Sequence, residues 1–268
     1  MFSVHAGNAF HAPVLAHGAT SVQRRSAGYR PLVFLASGRR NGPITRLITP
    51  WDVAELTTPF ESLEYAERLS VGAPAVGLPP HPGIAALTIV LSGRMSFRDP
   101  SGRQGELSAG GFAWTSWAHP LLLGEWASQE AIRVLHLWIS LTSAQQDSPI
   151  VSTAFSSHEV EHEGPVRVIL GQFGHARSPL RNASADLNCF HVCLRDGQRW
   201  RYDPPEGHNV TWIAVDRGGL EFQRGERARW EQIAVFGHSK GVIEAHADGD
   251  TSFVLGSAPR HLHRPERR

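Results

Sequence analysis

Short apolar runs closed by glycine, proline or aspartate recur along most of this chain and leave little room for helices. Residues 85–91 form a β-branched run ending at Ser92-Gly93. Residues 94–98 alternate Met95 and Phe97 with polar partners, then meet the turn signal Asp99-Pro100-Ser101-Gly102. Residues 105–109 lead into Gly110-Gly111, and 132–141 read as a further strand. A second series follows at 166–170, 189–194, 198–202, 210–215, 219–222, 233–236, 242–245 and 252–255. Strands repeating every ~8–12 residues point to a barrel or sandwich. Residues 51–56 read as one or two helical turns, and 145–155 as a short connector. The two series share a plan: a strand ending in glycine, a polar turn, then a strand into a small-residue bend (Ala109-Gly110-Gly111; Phe236-Gly237). The expected fold is therefore all-β, with two similar barrels packed together. The expected division is an arm over 1–38, a first barrel over 39–142, a short connector over 143–163 and a second barrel over 164–268.

Composition fits this reading and narrows the function classes. The chain has 268 residues, of which 41% are hydrophobic and 19% charged, with a formal net charge of +1. That balance gives no strong steering toward nucleic acid or a membrane surface. No apolar run reaches the ~18 residues of a membrane span. The expected partners are thus a small molecule, with no nucleic acid and no membrane, for a cytoplasmic monomer or homodimer. Cys189 and Cys193 lie four residues apart. On a strand they would share a face roughly 13 Å apart, too far for a disulfide without a bend. Both are expected as buried thiols in a reducing compartment. No Asp or Glu precedes Asp52, whereas six arginines do. Pro13 and scattered glycines spoil an amphipathic leader helix there, so an arm laid over the barrel is the expectation.

The order and spacing of several motifs resemble the pirin family, within the cupin superfamily of two-barrel proteins. Gly42-Pro43-Ile44-Thr45-Arg46-Leu47-Ile48 is similar to the family's opening strand. Pro59-Phe60-Glu61-Ser62-Leu63-Glu64 stands where the family has a proline-phenylalanine strand ending in leucine and aspartate. His81-Pro82-Gly83-Ile84, running on to Ser92-Gly93, resembles its metal-bearing strand. Gly105-x-Leu107-x-Ala109-Gly110-Gly111-x-x-Trp114 resembles its second motif, and Leu137-Trp138-Ile139 and 165–171 complete the pattern.

The resemblance implies a first barrel with one divalent metal, often iron, held by a His-Pro-His segment and a later His-x-Glu segment. Three neutral imidazoles and a carboxylate suit a redox-capable first-row metal with open positions. This sequence departs at two of those four positions. Pro79 replaces the first histidine and Leu123 the later one, while His81 and Glu125 remain. Neither proline nor leucine carries a side-chain donor, and one imidazole with one carboxylate is too few for a well-held metal. The expectation is a degenerate metal site and no cofactor; any metal bound would be a divalent first-row ion such as iron at His81 and Glu125. Two histidines are candidate replacements. His119 follows the Trp114-Thr115-Ser116-Trp117 bend, and His136 stands where the family usually has glutamine. Alternation puts Val134, His136 and Trp138 on one face and Leu135, Leu137 and Ile139 on the other.

Around these positions Pro79, Trp114, Trp117, Leu123 and Trp126 are expected as apolar and aromatic walls for a small organic ligand. The first functional reading is a metal-independent enzyme. In it His81, Glu125, His136 and His119 would serve as acid, base and orienting groups for cyclisation, isomerisation or dehydration of an aromatic or polyketide-like substrate. The alternatives are a metal-dependent dioxygenase of quercetin-like flavonols and a non-catalytic regulatory binding protein. The second barrel, with Trp200, Tyr202 and Trp212 expected in its core, is read as structural.

Overall fold

A computed structural model describes residues 28–49, 53–67, 83–98, 102, 104–116, 122–123, 131–146, 151–180 and 186–260. These build two main antiparallel sheets. The first has seven strands, running in space from Ser152–Phe155 through Phe112–Ser116, Ile84–Ser92, Arg133–Ser140, Phe60–Glu67 and Ile44–Ile48 to Arg39–Asn41. A small sheet of Arg94–Arg98, Gln104–Ser108 and Leu122–Leu123 accompanies it. The second main sheet has nine strands, among them Val210–Phe222 and Ile243–Ala258. The all-β expectation holds; the described helices are two pieces of four residues, Ala54–Thr57 and Ser143–Gln146.

Chain order and sheet membership are exchanged at both boundaries. The strand Leu32–Ser37, inside the expected arm, pairs with Gln232–Phe236 and so belongs to the second sheet. Arg30 ties the same segment down. It is 2% exposed, and its guanidinium donates to Thr211 Oγ1 at 2.7 Å and to the backbone carbonyls of His208 and Ser239. In the expected connector, Ser152–Phe155 pairs with Phe112–Ser116 of the first sheet, whereas His162–Glu163 pairs with Val166–Leu170 of the second.

Both main sheets are buried on two faces. One face of each meets the other sheet in a shared core holding Leu63, Leu87, Trp114, Leu135 and Leu137 from the first and Cys189, Trp212, Ala214, Val235 and Val254 from the second. Phe60 meets Trp212 edge-on here, with ring centroids 5.3 Å apart. Trp212 thus fills the seam between barrels and not the core of the second, where Trp200 and Tyr202 do lie. Beside the seam, Arg133 of the first sheet pairs with Asp216 at 2.5 Å and Glu231 at 3.4 Å, both from the second, and also with Glu67. The opposite face of the first sheet encloses a separate interior of Ala66, Val90, Met95, Phe97, Leu107, Ala113 and Val134.

The two cysteines are free, but only Cys189 is buried. They share a face of Asn188–Leu194, as alternation requires. Cys189 lies in the seam, while Cys193 runs past it into solvent, which corrects the expectation of two buried thiols.

Candidate functional site

Register across the first sheet sets one row of side chains at a single level of the barrel interior. Glu64 on Phe60–Glu67 stands opposite His136 on Arg133–Ser140, and His136 stands opposite Thr88 on Ile84–Ser92. Thr88 in turn faces Ala113, and Arg46 faces Glu64 from the other side. Directly opposed residues on neighbouring strands share a face, with Cβ atoms about 4.5–5.5 Å apart. The next level along the same strands is apolar, with Ala66, Val134 and Val90. On the other side come Ser62, Trp138, Ala86 and Thr115. A polar row therefore lies over a dry floor.

Two atoms of this row have no hydrogen-bond partner although they are buried: His136 Nε2 and Glu64 Oε1. His136 is 6% exposed and Glu64 3%. The other end of each side chain is held. His136 Nδ1 is 2.9 Å from Thr88 Oγ1, and Glu64 Oε2 is 3.5 Å from Arg46 Nε. Burial lowers the pKa of His136 to about 4, so the ring is neutral at pH 7. Burial raises that of Glu64 to about 7, against the opposing pull of Arg46. A buried polar group without a partner costs roughly 1–3 kcal/mol, so each such atom calls for an explanation, a bound water or ion among them. The Trp138 indole lies beside the histidine, with ring centroids 5.9 Å apart.

The sequence-predicted residues fare differently. His136 and Trp138 share the interior face. Trp114 does not: it is fully buried in the seam opposite Leu87, because alternation on Phe112–Ser116 gives the interior to Ala113 and Thr115. Its reading as a pocket wall is corrected. Leu123 is described only through its backbone, which pairs with Phe97 in the small sheet. Pro79, His81, Trp117, His119, Glu125 and Trp126 lie outside the described residues. Glu64, Thr88 and Arg46 escaped the sequence reading as site residues. The signal for Glu64 was present: it alternates with Leu63 and Tyr65, which are buried on the opposite face.

Among the described residues, no three His, Cys, Asp or Glu side chains gather as a metal cage. The donor test is narrower. A neutral imidazole with a free, buried Nε2 and a carboxylate oxygen with no partner are donor types that divalent first-row metals take, but two donors hold such an ion only with further ligands from outside the described residues.

Comparison with known proteins sets this geometry in context. The pirin family model matches residues 45–139, the segment that carries the row. A Pseudomonas aeruginosa protein provisionally named quercetin 2,3-dioxygenase is 26% identical over 230 residues, covering 80% of this chain and 79% of its own. The crystal structure of a quercetin 2,3-dioxygenase from Acinetobacter baumannii aligns with a TM-score of 0.74 at 19% identity, over 90% of this chain and 91% of that one. The Escherichia coli pirin YhhW, in complex with nickel(II), aligns with a TM-score of 0.62 at 17% identity, over 85% of this chain and 99% of its own.

These findings correct two expectations. A metal-independent cyclase, isomerase or dehydratase has no counterpart among relatives named as dioxygenases. The expectation of no cofactor fails against a relative of the same fold that holds nickel(II). Of the two replacement donors the sequence offered, His136 stands on the barrel wall with its Nε2 unpaired, and His119 lies outside the described residues. The pirin family model, the relatives and the two-barrel fold point the same way: over residues 45–139 the chain resembles the pirin family.

Proposed function

We propose that this chain is a metal-dependent dioxygenase that acts on a flavonol of the quercetin type. The observation that carries the reading is the free Nε2 of His136, an imidazole donor turned into the first barrel where two inherited histidines have been lost. His81 and Glu125, at the family's ligand positions, would hold the metal together with His136. Bound there, a divalent first-row ion would supply redox chemistry and open positions for dioxygen and substrate.

The chain's own residues have separable tasks. Thr88 fixes the His136 ring through Nδ1, which selects the orientation that frees Nε2. Arg46 holds one oxygen of Glu64, so that carboxylate is positioned and not free to swing. The apolar floor of Ala66, Val90, Met95, Phe97, Leu107 and Val134 excludes water from beneath the reacting atoms. Trp138 offers a flat aromatic surface beside His136 for a planar ligand. The segments that carry Pro79, Trp117, His119, Leu123 and Trp126 would supply the remaining walls.

Metal analysis of protein purified without a tag, followed by oxygen uptake with quercetin, tests the reading. The expected result is about one divalent first-row metal per chain, with oxygen consumption that a chelator abolishes and added metal restores. Metal-free protein, or metal-loaded protein inert toward flavonols, would overturn it.

A further inference from the structure

The interior of the second barrel is filled by side chains such as Phe190, Tyr202, Phe222 and Phe253, but a cleft opens at its rim. The cleft has two lobes, of about 630 and 290 Å³, that share Gln172, Gly174, Asn188 and Pro205. Small-molecule sites commonly fall in the range of roughly 300–1,000 Å³. The hairpin of Gln172–Phe173 and Ala176–Arg177 contributes to one side, and residues 201–208 to the other. Asn188 ties the two sides together. Its Oδ1 accepts from the Gln172 N–H at 3.2 Å, and its Nδ2 donates to the Tyr202 hydroxyl at 3.0 Å. A β-carbon at Gly171 would fall on Asn188 Oδ1, so glycine there is what lets the amide sit against the hairpin. His208 is 8% exposed and lines the larger lobe. Its Nδ1 lies 2.9 Å from Oγ of the fully buried Ser257, and its carbonyl accepts from Arg30. The opposite edge of the ring, with Nε2, is therefore the edge on the cleft.

We propose that this cleft is a second binding site, for a neutral polyhydroxylated molecule, a mono- or disaccharide. Asn188, Tyr202 and His208, the buried groups that anchor it, are all uncharged at pH 7, since burial raises the Tyr202 pKa and lowers that of His208 to about 4. A neutral imidazole nitrogen either donates or accepts, and a hydroxyl matches it in both cases. At the exposed edges stand three carboxylates, Asp186, Asp203 and Glu206, and two guanidiniums, of Arg177 and Arg201. Arg201 is already paired with Glu244 at 3.0 Å. An anionic ligand would thus meet more repulsion than attraction, and a cation would find only carboxylates screened by water. Sugar hydroxyls use such carboxylates as acceptors and the guanidiniums as donors. Phe173 is half-buried in the lining of the smaller lobe, where Phe190 meets it edge-on with ring centroids 5.5 Å apart. A fixed aromatic surface suits the C–H face of a sugar ring. The site needs no metal in the first barrel, so it stands apart from the dioxygenase reading.

Isothermal titration calorimetry of the full chain tests this, with D-glucose, D-galactose, maltose and sucrose as neutral probes and D-glucuronate and spermidine as charged ones. At least one neutral sugar is expected to bind at one site per chain, more tightly than either charged probe. Asp203→Ala and Phe173→Ala are each expected to weaken that binding by about tenfold or more. Asp203 is exposed, so its variant should fold even if Phe173→Ala does not, and thermal unfolding of both separates lost binding from lost fold. Wild-type affinity for the sugar in either variant, once folded, would place the ligand elsewhere and overturn the proposal. Tighter binding of glucuronate or spermidine, or no binding of any of the four sugars, would overturn it as well.

Discussion

The value of a residue in this barrel depends on which atom is left free more than on residue type. His136, His191 and His208 are all buried histidines, and each has one ring nitrogen close to a hydroxyl. Of the three, only His136 leaves its other nitrogen buried and unpaired. The remaining two serve stability and give it a pH dependence. Burial lowers the pKa of both His191 and His208 to about 4. In the unfolded chain both titrate near the ordinary 6.5. A depressed folded value means the stabilisation is complete above about pH 6.5 and is lost as pH falls through 4. Each group should contribute a slope approaching 1.4 kcal/mol per pH unit within that window. Denaturant unfolding between pH 7 and 4 is expected to show stability falling with acid, with a shallower slope in His191→Gln and His208→Gln. Equal slopes in all three proteins would contradict this.

At the level of elements, the seam between sheets depends on a strand that can approach closely. Trp212 of Val210–Phe222 stands opposite Gly256 of Ile243–Ala258, and a β-carbon at Gly256 would overlap the indole ring. The ring would have to leave its edge-on contact with Phe60. Gly256→Ala is therefore expected to cost about 1–3 kcal/mol through overpacking, visible as a lower denaturation midpoint. Glycine also explains where strand boundaries were missed. The sequence splits 210–222 at Asp216-Arg217-Gly218 and 242–255 at Asp248-Gly249-Asp250, both strong turn signals. The structure runs each as one strand, Val210–Phe222 and Ile243–Ala258. Two register shifts between Val215 and Gly219 absorb the first irregularity, with Gly218 at φ 72°. A bulge and a turn call for the same residues, and only the partner strand decides between them.

For the whole molecule, the two barrels are joined by burial and by one ion network. Arg133 is 9% exposed and serves Asp216, Glu231 and Glu67 while its guanidinium lies over the Tyr65 ring at 4.4 Å. Arg40 adds a second cation to Glu67 at 3.0 Å. Removing Arg133 would leave three carboxylates crowded at a mostly dry seam. Arg133→Ala is expected to destabilise the protein by about 3–5 kcal/mol, measurable by denaturant unfolding. Arg133→Ala combined with Asp216→Ala should recover part of that loss if the pair acts as a unit. Because Arg133 begins the strand that carries His136, the same variant should also weaken metal binding if the seam holds that wall in register.

Strand content, the two-barrel plan and the resemblance to the pirin family were legible in the chain alone, because short β-branched runs, turn residues and motif spacing are local properties. So was the fact that Pro79 and Leu123 bring no donor atoms. Which face of each strand looks into the barrel was not legible, since both faces of the first sheet are buried and apolar residues occupy both. That ambiguity sent Trp114 to the pocket in the sequence reading and to the seam in the fold. Nor could local pattern bring Glu64 to His136 across 72 residues; only cross-strand register does that. Pairing between strands is a long-range choice made by the packing of whole sheets, and the candidate site is built from that choice.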